Sequence, residues 1–257
     1  MQETQRLLNR LDAIGASLRD SGTALALLGL GSVGVETERL DTYSDLDFFV
    51  IVKPGAKSRY LQSLDWLAAV HPLVYSFLNT EDGYKALFAD GIFCEFAIFE
   101  PQELAHIPFA NGRFIWKDGA FDESLCVPLS RQQPEHTQEW MLGEALTNLY
   151  VGMGRVHRGE VLSGTRFIQT YAINHVLELT TYIESTQGAT EDPFDGDRRY
   201  EKRYPQTAQH LPTFIQGYNR NAESALAILQ FLEQHFQVSA AISAAIRTVC
   251  AYPSSTP

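Results

Sequence analysis

Residues 24–52 read ALALLGLGSVGVETERLDTYSDLDFFVIV, and the rest of the chain can be placed from them. An apolar run over residues 25–30 stops at Gly31-Ser32. A polar connection follows, and Asp45-Leu46-Asp47 then opens a second apolar run. Short runs of Leu, Val, Ile and Phe bounded by glycine and polar residues predict two buried strands. Side chains alternate along a strand, so Asp45 and Asp47 share one face, about 7 Å apart along the backbone. Phe48 and Val50 fall on the other face. Two neighbouring carboxylates at the head of a buried strand repel each other and lose solvation, which a hard divalent cation relieves. Gly31-Ser32 stands where the first strand gives way to a short helix. There a glycine lets a phosphate approach the backbone amides. A phosphate loop and a carboxylate pair for its metal are the parts that phosphoryl or nucleotidyl transfer needs.

Gly31-Ser32, a spacer of twelve residues and Asp45-Leu46-Asp47 between apolar flanks resemble the signature of the polymerase-beta-like nucleotidyltransferase superfamily. Within it, the run Tyr43-Ser44-Asp45-Leu46-Asp47-Phe48 and the later Cys94-Glu95-Phe96 are most similar to lincosamide and aminoglycoside nucleotidyltransferases. The motifs lie in the first hundred residues or so, and the helical second half adds a general likeness of architecture. The resemblance implies an α+β fold, with a mixed-sheet nucleotidyltransferase domain over residues 1–130 and an α-helical bundle domain over 131–257. It implies a cleft between sheet and helices, and it leaves a homodimer open. It also implies transfer of a nucleoside monophosphate, AMP from ATP in first place among the NTPs, onto a hydroxyl of a small molecule of the antibiotic type. Asp45, Asp47 and Glu95 become the catalytic set and the ligands of two Mg2+ ions, and Gly31, Ser32 and Ser44 the nucleotide contacts. Other readings stay open: a regulatory or antitoxin-like module on the same fold, or an AMP transferase acting on proteins.

Glu95 is the single charge in the apolar run 92–99. Buried alone it would be costly or would shift its pKa until neutral. Either it pairs with a cation or faces water from an edge strand, or it is the third carboxylate of the site. The second unusual stretch is 192–205, where Arg198, Arg199, Lys202 and Arg203 follow three acids. It reads as a solvated loop held by local ion pairs, or as a cationic rim reaching a triphosphate or a neighbouring subunit. Lys53 follows directly on the aspartate strand and is a further candidate for phosphate.

The net charge of −11 disfavours a nucleic-acid partner, whose phosphates demand Lys and Arg, and suits a cationic small molecule. No apolar stretch nears the ~20 residues of a membrane span, and the polar opening MQETQRLLNR leads us to expect a cytoplasmic protein. The three cysteines, Cys94, Cys126 and Cys250, lack metal spacing and read as reduced and structural.

Elsewhere the apolar periodicity predicts helices over 3–20, 58–70, 135–158, 166–184, 213–236 and 239–249. In the second of these, Leu61, Leu64, Leu67 and Ala68 should point inward, and in the fourth Tyr171 and a core His175. Strands are expected over 73–78, 85–88, 92–99 and 114–116. The patternless 128–134 is the expected boundary, and 253–257 an expected disordered tail.

Overall fold

The computed structural model describes residues 2–127, 136–189, 191–192 and 195–252. The expected boundary at 128–134 and the tail at 253–257 lie outside them. The fold is α+β, and the chain divides into two compact units, Met1–Arg131 and Gln132–Pro257.

The first unit begins with α1 (Gln2–Asp20), in which Leu7, Leu11, Ile14 and Leu18 recur on one face and are buried. Side chains of this kind contribute roughly 1.5–3 kcal/mol each when removed from water. Gly22, at φ +69°, turns the chain into β1 (Ala24–Gly29). A 3-10 turn (Gly31–Val33), a second (Thr37–Arg39) and β2 (Leu46–Val52) follow. The expected helix over 58–70 is instead two short ones, α2 (Lys57–Gln62) and α3 (Asp65–Ala68). Ser63 between them is extended, and Asp65 is paired at 2.8 Å with Arg59 across the break. Trp66 therefore takes the inward place assigned to Ala68, which is exposed.

Strands β3 (Leu73–Leu78), β4 (Gly83–Phe88), β5 (Phe93–Phe99) and β6 (Arg113–Lys117) complete a six-stranded mixed sheet in the order β3-β4-β5-β2-β1-β6. Only the central pair, β2 with β5, runs parallel. One face of the sheet packs Leu46, Phe48, Val50, Cys94, Phe96 and Ile98 against α1, Tyr60, Trp66 and Leu67. The other buries Ala26, Leu28, Ile51 and Phe99 beneath Leu104, Phe109 and Phe121 from the loops after β5 and β6. Asp47, Phe49 and Ile51 alternate onto this second face, as do Glu95, Ala97 and Phe99. The apolar cluster covers one end of it, and the carboxylates stand at the other.

The second unit is helical. In α4 (Gln138–His157), Met141, Ala145, Leu149 and Met153 form the inner stripe. The expected helix over 166–184 starts earlier, with α5 (Val161–Arg166), and runs through a π turn (Phe167–Ala172) into α6 (Ile173–Leu179) and a 3-10 turn (Thr180–Tyr182). Gly152 on α4 lets the two helices meet, since a Cβ there would lie 2.6 Å from Ile168. The π turn rotates the face, so Tyr171 is exposed rather than inward. His175 is also not a core residue: it is partly buried on the helix shoulder, 3.3 Å from Glu178 and edge-on to Trp140.

Three short helices follow, α7 (Tyr200–Arg203), α8 (Pro205–Ala208) and α9 (Leu211–Phe214), then α10 (Asn221–His235) and α11 (Ala240–Ala251). The expected helix over 213–236 is thus interrupted, with Gly217 at φ +94° in the break. The Gln169 side chain fills that break, accepting from Gly217 N and donating to Gly217 O and Asn221 Oδ1 at 2.7–2.9 Å. Among the described residues no helix is long and apolar enough to cross a membrane.

Candidate functional site

β1 ends at Gly29, and the amide of Leu30 donates to the carbonyl of Asp47 at 2.8 Å. This bond ties the loop to the aspartate strand. Gly31 adopts φ +52°, in the left-handed region that glycine enters without strain. A Cβ there would meet Asp47 Oδ2 at 3.5 Å and Arg39 Nη2 at 3.9 Å, ordinary contact distances, so it is the backbone conformation that asks for glycine and the glycine stands directly beside the Asp47 carboxylate. The carbonyls of Leu30 and Gly31 take up the amides of Val33, Gly34 and Glu36. Arg113 on β6 clamps the turn from outside, donating to the carbonyls of Val33 and Gly34 at 3.2 Å. Ser32, beside Gly31, is partly buried.

Asp41 organises the approach to β2. Its carboxylate accepts from the amide of Tyr43 (2.8 Å) and the hydroxyl of Ser44 (3.2 Å), and its own amide donates to Ser44 Oγ (3.0 Å). Ser44, expected as a nucleotide contact, is thus a member of the turn that presents Asp45. Asp45 and Asp47 are both partly buried at the head of β2. In the parallel pairing Asp47 stands directly beside Glu95, and in the antiparallel pairing Glu95 stands beside Lys85. One row across three strands therefore reads Asp47, Glu95, Lys85.

Glu95 keeps 43% of its side chain exposed and accepts from Lys85 Nζ at 3.0 Å and Asn79 Nδ2 at 3.1 Å. Both sequence readings meet here. The carboxylate has a cationic partner and faces water, yet it occupies the place next to Asp47 that a third site carboxylate requires. The Lys85 ammonium is held above its ordinary range by its hydrogen bond and charge attraction to Glu95, with Asp47 and Asp45 adding to the pull. All three acids thus act on one cation. Burial pushes the Cys94 thiol up to about 12, and both aspartates contribute in the same direction, so Cys94 stays protonated and inert.

The donor set suits a hard cation, being carboxylate oxygens beside an open glycine. Asp45 and Asp47 are the pair that would hold it, on the side where Gly31 leaves room against Asp47 Oδ2. Among the described residues, however, no three acidic, histidine or cysteine side chains converge closely enough to hold a metal as they stand.

Sequence reasoning missed Arg39, Lys85, Asn79 and Arg113. Arg39 is paired with Glu36, and its buried Nε has no hydrogen-bond partner. In the segment around Arg198 and Arg203, these two of the four cations are held by local partners. Arg203 is 3% exposed, donates to the carbonyl of Gly196 and lies 3.4 Å from Glu191, while Arg198 pairs with Asp192 at 3.1 Å. These are the local ion pairs of the simpler reading. Lys53 donates to the carbonyl of Gly22 at 2.9 Å, at the far end of β2 from the aspartates.

No family model and no curated protein matches the chain. Among solved structures, an aminoglycoside 6-adenyltransferase from Bacillus subtilis is similar over 94% of this chain and 90% of its own, at 12% identity and a TM-score of 0.33. A STING-associated CdnE c-di-GMP synthase from Capnocytophaga granulosa is similar over 97% and 78%, also at 12% identity and a TM-score of 0.33. Both are nucleotidyltransferases.

Proposed function

We propose that the sheet unit is the catalytic unit of a cytoplasmic Mg2+-dependent nucleotidyltransferase, which moves AMP from ATP onto a hydroxyl of a small molecule. The observation that carries this is the row at the strand heads: Asp47 in register with Glu95, Asp45 before it, and Gly31 open against Asp47. In the reaction a bond forms from the acceptor oxygen to the α-phosphorus, and the bond from that phosphorus to pyrophosphate breaks. Gly31 and Ser32 receive the β- and γ-phosphates, with the Arg39 guanidinium beside them to offset their charge. Asp45 and Asp47 would hold the Mg2+, which would supply the positive charge that offsets the triphosphate and the departing pyrophosphate. Glu95 leaves Lys85 as the nucleotide enters, orients the acceptor hydroxyl and takes its proton, while Lys85 turns to the phosphates. The excess of acids, net −11, favours a cationic acceptor, and an aminoglycoside or a lincosamide fits that class.

A second reading has its own support. Glu95 satisfied by Lys85 and Asn79 is what a non-catalytic module on the same sheet would also display. Incubation with each NTP, Mg2+ and a panel of hydroxylated antibiotics, read by mass spectrometry, separates the two. The expected outcome is an acceptor carrying one added AMP, absent when Asp47→Asn replaces the wild type. Asp47→Asn should keep the wild-type melting temperature or exceed it, because like-charge repulsion beside Glu95 is relieved. The module reading prevails if no NTP is consumed and none raises the melting temperature in a Mg2+-dependent way.

A further inference from the structure

Within the helical unit, the stretch around Arg203 encloses a cavity of about 90 Å³ against the end of α6. Glu178, Glu191 and Asp197 bring three carboxylates to its wall, Tyr200 and Tyr204 two aromatic rings, and Arg203 a single guanidinium. The Arg203 side chain is only 3% exposed. One of its Nη atoms lies 3.4 Å from Glu191 and the other donates to the carbonyl of Gly196, while Nε has no hydrogen-bond partner among the described residues. A buried donor left unpaired is costly, so an acceptor is called for at this spot. The Asp197 carboxylate takes part in no hydrogen bond or ion pair among the described residues, and Glu178 meets only His175, at 3.3 Å. The tyrosine hydroxyls are engaged elsewhere, with Thr180 at 2.6 Å and Thr186 at 3.3 Å, so the rings are what the cavity is offered. Between Asp197 and Tyr200 the chain passes through Arg199 at φ +63°, a conformation that side chains other than glycine's seldom hold without a use.

These groups specify a ligand. Three carboxylates meet one cation, so the cavity is short of positive charge. An ammonium supplies it, and the tyrosine ring faces add to its attraction. The same ligand must present an oxygen to Arg203 Nε. A carboxylate oxygen would set a fourth negative charge close to Glu191, whereas a hydroxyl accepts the bond without one. The volume is below the ~150 Å³ that takes up a benzene and suits about four non-hydrogen atoms. We propose that this cavity is a binding site for a small amino alcohol. Its ammonium sits among Glu178, Glu191 and Asp197, and its hydroxyl oxygen accepts from Arg203 Nε. The site lies wholly within the helical unit and stands independently of the reaction proposed for the sheet unit.

Calorimetric titration of the full chain at constant ionic strength tests this, with 2-aminoethanol as the probe. It should give a saturable heat for one site. Ethylamine keeps the ammonium and lacks the hydroxyl, and it should bind at least tenfold more weakly. That comparison tests Arg203 without replacing a buried side chain. Glycine, with a carboxylate in place of the hydroxyl, should also lose at least tenfold. Asp197→Asn, at an exposed position, should keep the wild-type melting temperature and weaken 2-aminoethanol by at least tenfold. Glucosamine carries the same amine and hydroxyl on a ring too large for the cavity, so it should not displace bound 2-aminoethanol. The proposal is overturned if 2-aminoethanol gives no saturable heat, or if ethylamine, glycine or glucosamine binds as tightly. An unchanged affinity in Asp197→Asn overturns it as well.

Discussion

Glu95 is the residue at which role and stability can be told apart. A buried glutamate with one partner would cost stability on neutralisation, but this carboxylate is half open to water, and exposed ion pairs contribute little. Glu95→Gln should therefore leave the melting temperature close to wild type. If the carboxylate takes the acceptor proton, turnover falls by ~100- to 10,000-fold while ATP·Mg2+ affinity changes far less. Melting, nucleotide titration and AMP transfer on one preparation of the variant check this, and near-normal turnover would remove Glu95 from the reaction. The acids and Gly31 were legible in the sequence because strand alternation and a fixed spacer encode their shared face. Lys85, Asn79 and Arg39 were not, since each is a common surface residue whose neighbours come from other strands or turns. The register of β4 against β5 puts Lys85 beside Glu95, and no local pattern announces that register.

At the scale of elements, the strands were read closely, and the helices over 58–70 and 213–236 were read through breaks. A buried strand declares itself by composition and by its bounding turns, whereas apolar periodicity continues smoothly across a break that only a distant partner reveals. The break before α10 is such a case, because Gln169 satisfies both backbone groups of Gly217 from another helix. Glu184 plays a comparable part for α8. It is buried, and burial pushes its carboxyl up. The amides of Gln206 and Thr207 and the Thr207 hydroxyl outweigh that and hold it below the ordinary glutamate range. A depressed folded pKa means that its contribution is fully present above the unfolded value near ~4.3 and is lost as pH falls through the folded one. Glu184→Ala should cost about 1–3 kcal/mol at neutral pH through the unpaired donors. Its stability should also fall less steeply than that of the wild type in acid, which urea melts at a series of pH values will show. Arg203 belongs with it. Arg203→Glu buries a charge next to Glu191 and should lower the melting temperature of the second unit, while Arg198→Glu, at a half-exposed side chain paired with the more buried Asp192, should lower it less.

Among the described residues there are three apolar clusters, one on each face of the sheet and one among the helices, and the order of strands in the sheet differs from their order in the chain. β1 bonds to β2 on one side and to β6 on the other, with Leu27 opposite Trp116 in the register. During synthesis β1 therefore leaves the ribosome long before the strand that closes its second side. Until then the nascent sheet carries an apolar edge at Ala26, Leu27 and Leu28, a site for chaperone capture or for misassembly. A chain ending after residue 110 should be insoluble or unfolded, whereas one ending after residue 127 should give a cooperative melt, with circular dichroism on both truncations deciding it. The carboxylate row is complete once Glu95 has been made. The turn at Gly31, however, gains its clamp only from Arg113, so the two halves of the site are translated early and joined late.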